Sequence, residues 1–405
     1  MRTKLGEIFA IFAEELEDLS THMDKESMSY EFEASLTDRL RHFGQSVFQT
    51  LVGDIPKSKN ERITILTSLG YVCFPKKHPL AATPGGFKIS AYLQEHLCRV
   101  GTKLTFAEAS EEVTKLMGVE VNAKKIERTC HHYGEQLEQV DWKEAINESI
   151  ELSIPLKDDD VTYAMIDGSM ILTREEDSRW KEVKLCRTFH PGDRVEDVSK
   201  DRNYIGHSNY VAHLGGHDEF FDKVPDVLPT RSPLVFVCDG AKWIWKLVDE
   251  YYPKSKQILD LFHCKGHLYD FAKIYYPKDE QQQASKWVES CIDLLMNKKV
   301  NELLTTISEL SSSKKQVETE KQKLLTYLQN NQTRINYGLY KEQGLLCGSG
   351  AIESANRDVI QKRMKQSGQR WTMKGAQQMI NLRVCYKSGH HKKLHELITQ
   401  YQKAA

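Results

Sequence analysis

The sequence predicts an α/β protein: a mixed sheet in the middle of the chain, preceded by a mainly helical region. Three observations point there. Short apolar or alternating runs crowd between Val161 and His263. Apolar residues recur at helical spacing near the start, and helical patterns return after residue 264. The composition is that of ordinary globular domains: 405 residues, 40% hydrophobic, 9% aromatic, 28% charged, net charge −1. At about 150 residues per domain, two or three domains are expected. Global disorder and a strongly basic chain are excluded, so phosphate binding would have to come from local patches. No run reaches the roughly 18 apolar residues of a membrane span, and the start lacks the order of a signal peptide. The nine cysteines form no C-x-x-C pair. Reduced thiols in a cytoplasmic protein are expected.

Residues 1–40 carry ten acids against four bases. Leu5, Ile8, Phe9, Phe12, Leu16 and Leu19 give them one apolar stripe, predicting an amphipathic helix with a charged outer face. Residues 62–75 alternate and are rich in β-branched side chains, predicting a hairpin. Pro79, Pro84, Gly85 and Gly86 mark a loop. Thr105 and Glu108 have the spacing of a capping box for a helix ending near Met117-Gly118. Asn122 can cap the next helix, from Ala123 to about Leu137. Two such helices with a short turn read either as a plain helical hairpin or as a helix-turn-helix. Lys124, Lys125 and Arg128 favour the DNA-reading alternative.

From Val161 the pattern becomes strands: Tyr163–Ile166 ending at Asp167-Gly168, then Trp180–Phe189, then His207–Gly215. Pro233–Cys238 is continuous and apolar, as in a strand buried on both faces, and stops at Asp239-Gly240. Ala241–Tyr252 is an amphipathic helix, and Gln257–Phe262 is a fifth short strand ending at His263. The order is three strands, helix, strand, helix, strand, predicting a mixed sheet with its carboxyl ends gathered. Asp-Gly alone is ordinarily a turn. Two of them directly after apolar strands place two carboxylates where a hard divalent cation can be held.

Residues 264–345 read as helical, with an exposed polar run at Ser308–Lys323. Gly348-Ser349-Gly350 is a tight loop, and Ser349 can cap the helix that follows. Glu353 then lies in the first turn, where complementing the helix dipole is the simplest role. Between Arg357 and His395 there are ten Lys or Arg and one acid, a net of about +9 interleaved with Trp371 and Tyr386. Clustered cations of this kind form a phosphate-binding footprint.

The segments YAMIDGSMI (163–171), WKEVKLCRTF (180–189), VFVCDGAKWIW (235–245), ILDLFHCKGHL (258–268), GSGAIESANRDVIQKRMKQSGQRW (348–371) and GAQQMINLRV (375–384) together resemble DDE insertion-sequence transposases, most closely the ISKra-type family. The resemblance covers most of the chain, and the last motif is its most specific part. It implies an RNase H-like sheet with catalytic Asp167, Asp239 and Glu353. The 114 residues from Asp239 to Glu353 correspond to a helical insertion domain. Asp260-Leu-Phe-His263 is similar to an Asp/Cys-x-x-His element of related families, making His263 a candidate for orienting the scissile phosphate or an acid; a core histidine at a strand end is the competing reading. The chain departs from relatives with a cysteine-rich region ahead of the hairpin, and no structural zinc is expected: Cys130-His131-His132 cannot readily complete a tetrahedral site.

The implied organisation is a helical N-terminal region (1–60), a hairpin plus helix-turn-helix-like DNA-binding region (61–150), the first part of the catalytic core (151–263), the helical insertion (264–345), and the last part of the core with its basic tail (346–405). Asp167, Asp239 and Glu353 would hold two Mg²⁺ ions, replaceable by Mn²⁺. Arg357, Lys362, Arg363, Lys365 and Arg370 would hold DNA, and Trp371 would stack on a base or pack in the core. The expected partners are the element's terminal inverted repeats and target DNA, with at least a dimer bringing two ends together. A nuclease without joining activity and a non-catalytic domesticated regulator are the alternatives.

Overall fold

A computed structural model describes residues 1–21, 30–144, 146, 161–197, 202–229 and 232–400. The expected boundary at 150–151 lies outside them. The chain forms two units, the first from residues 1–140 and 377–405, the second from 141–376.

In the first unit, α1 (Arg2–Thr21) lies on α2 (Tyr30–Val52). Phe43 receives the rings of Phe9 and Phe12 at 5.1 and 4.3 Å. α1 buries no residue fully. The hairpin β1 (Arg62–Thr67) and β2 (Gly70–Pro75) pairs from Arg62–Pro75 to Thr67–Gly70, as expected. α2 lies in the 1–60 region expected to be helical, although no separate second helix was marked out there. It covers the hairpin edge, where the Gln49 side chain bonds both the N–H and the C=O of Cys73. This satisfies an edge strand's free backbone groups. α3 (Ala91–Gly101), α4 (Phe106–Met117) and α5 (Ala123–Gln136) follow. The Thr105–Glu108 capping box is formed in both directions, Gly118 takes the left-handed C-cap conformation (φ 60°), and Asn122 caps α5.

The second unit is built on a five-stranded mixed sheet, β3 (Thr162–Leu172), β4 (Trp180–Phe189), β7 (Asn209–Leu214), β8 (Leu234–Cys238) and β9 (Lys256–Leu259), in the order β7-β4-β3-β8-β9. β3, β4 and β7 are antiparallel neighbours; β8 and β9 run parallel to β3. A small hairpin, β5 (Arg194–Asp197) and β6 (Arg202–Ile205), had no counterpart in the sequence reading. α6 (His217–Lys223) precedes β8, and α7 (Lys242–Tyr251) follows it. A helical block then comprises α8 (Leu261–Tyr275), α9 (Gln281–Met296), α10 (Val300–Glu309), α11 (Lys315–Asn330) and α12 (Tyr337–Glu342). The chain returns to the sheet as α13 (Gly350–Ala355), which passes directly into a π-helical turn (Asn356–Gln361) and a last α turn (Lys362–Met364). α14 (Met373–Lys387) and α15 (His391–Gln400) end the described chain, and from Gln377 onward they belong to the first unit. Among the described residues no helix is long and apolar enough to cross a membrane.

Two expected strand ends are corrected. β3 does not stop at Asp167-Gly168 but runs on to Leu172, paired with β4 throughout. The glycine is not in a turn: it lies within the strand opposite Lys184, and a Cβ there would meet the end of the Glu182 side chain. β9 ends at Leu259, not Phe262, because Asp260 caps α8 by accepting from the His263 N–H.

Candidate active site

The site is assembled in the second unit by strand register. Ala164 pairs with Phe236, and three residues further along each strand come Asp167 and Asp239. Cys238 pairs with Leu259, and the next residue on each strand is Asp239 and Asp260. Three aspartates thus stand level on three neighbouring parallel strands, which are spaced about 4.8 Å apart.

Asp167 is held from two sides. Its Oδ1 accepts the Gly168 N–H at 2.7 Å, and its Oδ2 accepts Asn356 Nδ2 at 2.6 Å. Burial raises its pKa; the negative charges of Asp239 and Glu353 raise it further, against those hydrogen bonds. The three carboxylates therefore feel one another although they come from sites up to 186 residues apart in sequence. Asp239 Oδ1 accepts the Ala241 N–H at 3.0 Å, and its backbone carbonyl accepts the Trp245 indole N–H at 2.7 Å. This fixes the turn into α7. Gly240 is required there, since a Cβ would fall 2.5 Å from Cε2 of Tyr327 on α11.

Glu353 is exposed on α13. Ser349 sits at the N-cap position, but its hydroxyl makes no cap hydrogen bond. It donates instead to Glu353 Oε1 at 2.5 Å. The expected Ser349 cap is corrected accordingly: the hydroxyl serves the carboxylate. α13 is pinned to the sheet by Arg187 of β4, whose Nη1 donates to the Ala351 carbonyl at 2.6 Å.

His263 lies in the first turn of α8, half exposed, and not at a strand end. Its Nδ1 is 2.7 Å from Asp260 Oδ2. A carboxylate only accepts, so Nδ1 carries the proton and Nε2 is left for the cleft. The Asp260 hydrogen bond raises the His263 pKa, outweighing burial. Asp260 is fully buried. Burial pushes its carboxyl up, but His263 and the N–H groups of Ser349 and His263 together hold it below its ordinary value. Asp260, His263 and Glu353 line an open cleft of about 320 Å³ with Phe262, His267 and Asp270, and Phe262 is 70% exposed at its lip.

Among the described residues one grouping has its ligand atoms mutually close enough for a cation, and a second is coupled only through charge. Ligand atoms of Asp260, His263 and Glu353 all lie within 4.8 Å of one another. Yet both Asp260 oxygens are already engaged, Oδ1 by Ser349 and Oδ2 by His263. Asp260 is better described as the anchor tying β9, α8 and the 348–350 loop together. Asp167, Asp239 and Glu353 offer only oxygen donors, and the charges of Asp239 and Glu353 act on Asp167, a repulsion that a divalent cation would relieve; their ligand atoms are not all within that 4.8 Å of one another, and both Asp167 oxygens are likewise engaged, by Gly168 and Asn356.

The basic segment is only partly a surface. Arg357, Lys362, Lys365 and Arg370 are exposed, with Lys362 paired to Asp358 at 2.8 Å. Arg363 is corrected as a DNA contact, and Trp371 takes the core alternative of its two readings. Arg363 has no exposed surface and its guanidinium lies 5.1 Å from the Trp371 ring. The Trp371 indole N–H donates to the Met364 carbonyl at 3.1 Å. A buried guanidinium cannot reach a phosphate, and this ring is core. Arg383 is buried too, bonding the Thr102 carbonyl. Asn356, Ser349, Arg187 and Asp260 were missed as site residues. All four stand inside the quoted motifs, but only tertiary contacts show what they touch.

No curated protein matches the chain. A family model described as an uncharacterised protein family, UPF0236, matches residues 106–401. With most of its length covered, the chain belongs to the UPF0236 family.

Proposed function

We propose that the protein is a DDE transposase that cuts phosphodiester bonds at the ends of an insertion sequence and joins the freed 3′-hydroxyl to target DNA. The observation carrying this reading is the convergence of Asp167, Asp239 and Glu353, from two strands and a late helix, close enough that each of the other two raises the Asp167 pKa. Binding alone gives no reason to gather acids beside a phosphate. The sheet supports an RNase H-like fold: counted along the chain its strands lie 3-2-1-4-5, the first three antiparallel, the last two parallel to the first. The helical block between β9 and α13 fits the insertion.

Two divalent ions, held by Asp167, Asp239 and Glu353, would supply an activated oxygen nucleophile and neutralise charge on the leaving oxygen. The chain's own groups do the positioning. Asn356 fixes Asp167, Ser349 fixes Glu353, and protonated His263 offers Nε2–H to a non-bridging phosphate oxygen. Water first attacks the phosphorus at the element end and the P–O3′ bond breaks, leaving a 3′-hydroxyl. That hydroxyl then attacks a target phosphorus, and the target's own 3′-oxygen leaves with a proton. One phosphodiester is exchanged for another, so no external energy is needed. Arg357, Lys362, Lys365 and Arg370 would hold the DNA backbone, and a dimer or larger assembly would bring two ends together.

The test is strand transfer from a labelled duplex carrying the element end into a supercoiled plasmid, with Mg²⁺ or Mn²⁺. Joined products are expected from wild type and not from Asp239→Asn or Glu353→Gln. Cleavage without joining would replace this reading by a nuclease; joining that survives both substitutions would mean that other residues carry the chemistry.

A further inference from the structure

A second cleft opens one residue beyond Asp239, between α7 and α11, with a volume of about 990 Å³. Gly240, Trp245, Tyr327 and Arg334 line it, with Lys242 and Lys246 on the α7 side. The α11 side presents Thr319, Gln322, Lys323, Thr326 and Asn330, a stripe without an acid. The one acid in the lining, Asp249, is taken by Arg334 at 3.0 Å, and Lys323 is paired with Glu320 at 2.8 Å. Lys242 and Lys246 are exposed, and among the described residues neither has an ion-pair partner. One polar atom in the lining is unsatisfied: the Tyr327 hydroxyl is buried without a hydrogen-bond partner.

We propose that this cleft binds a single strand of nucleic acid, with Lys242 and Lys246 on its phosphates and the Gln322, Thr326 and Asn330 side chains on sugar and base edges. Charge and the chemistry of the lining select that occupant. The unpaired cations call for an anion, and uncharged amides and hydroxyls are the donors and acceptors that meet bases. Thr319 to Asn330 spans about 16 Å of helix. The cleft lies along that length, so an extended flexible strand can follow it. That the strand belongs to the DNA being processed rests on the transposase reading; the cleft's affinity for a strand does not.

The experiment measures binding of a labelled 12-nucleotide single strand to the full-length protein by fluorescence anisotropy, without divalent cation, over a range of salt. For Lys242→Gln/Lys246→Gln, the slope of log affinity against log salt should fall by about 1.4, which is about 25-fold in affinity at 0.1 M salt. Thr326→Trp, which fills the cleft without changing charge, should weaken binding and leave the slope alone. Unchanged affinity and slope in the lysine variant would overturn the proposal, as would losses seen with a duplex only or shared equally by a poly-glutamate peptide. Losses confined to the single strand, in a protein that never cuts DNA with Mg²⁺, would uphold the cleft and sink the transposase reading.

Discussion

Asp260 shows how much one buried carboxylate can organise. It receives a ring N–H and two backbone N–H groups, and its pKa is held down while that of His263 is held up. The depressed carboxylate stabilises the fold above the unfolded value of 3.8, and this is lost as pH falls through the lower folded value. The raised imidazole acts oppositely: its contribution is complete below 6.5 and is lost as pH rises through the higher folded value. Asp260→Asn should therefore cost about 1–3 kcal/mol near pH 6, read from urea midpoints, and the difference from wild type should shrink below pH 3.8. A constant difference down to strongly acid pH would show that the charge is irrelevant. Asn356 makes a second residue-scale case. Asn356→Ala removes a 2.6 Å hydrogen bond to Asp167, so the Mg²⁺ concentration for half-maximal cleavage should rise roughly 10–100-fold, as for other ligand-orienting partners. Unchanged metal dependence would make that contact merely structural.

Among the elements, the helix carrying Glu353 is unusual because its α turn passes into a π turn at Asn356. Wide turns of this kind recur at functional sites. Here the wide turn begins at the residue whose side chain reaches Asp167. The 240 turn is governed by α11. Gly240→Ala would drive a methyl group to 2.5 Å from Tyr327 Cε2, an overpacking cost of about 1–3 kcal/mol. Tyr327→Leu should restore much of the stability lost to Gly240→Ala in a melting experiment, and failure of that rescue would locate the strain elsewhere. In the first unit, Thr105→Ala breaks a two-way capping box and should cost about 1 kcal/mol.

For the whole molecule, the first unit is discontinuous: residues 377–400 join residues 1–140. Gly134 of α5 meets the backbone of Gln378 so closely that a Cβ would clash at 2.0 Å, and the Asn381 amide donates to the Gly134 carbonyl at 3.0 Å. Removing residues 1–150 would strip the partners from buried Met379, Ile380, Leu394 and Ile398. That truncation should aggregate, and light scattering will show it. End recognition is better tested on the intact chain. Lys124→Glu/Arg128→Glu should lower affinity for the element-end duplex and cut the salt slope by about 1.8; equal binding would remove α5 from the DNA interface.

The sequence alone determined most of the elements, because periodicity, capping residues and apolar runs are local signals. The 62–75 hairpin, the Thr105 and Asn122 caps, Trp180–Phe189 and the strand ending before Asp239 follow from neighbours within a few residues. It also named Asp167, Asp239 and Glu353 as candidates, through motifs whose flanking residues resemble a known family. Only the tertiary structure decided the rest. Gly168 reads as a turn until Lys184 pairs with it from the next strand. Arg363 looks like a DNA contact until burial removes it from the surface, and burial decides between the two readings of Trp371. Asp260 reads as part of a strand until Ser349 and His263 come to its oxygens. These outcomes depend on groups far apart in sequence, whose meeting is set by strand register and helix packing and is written in no local pattern.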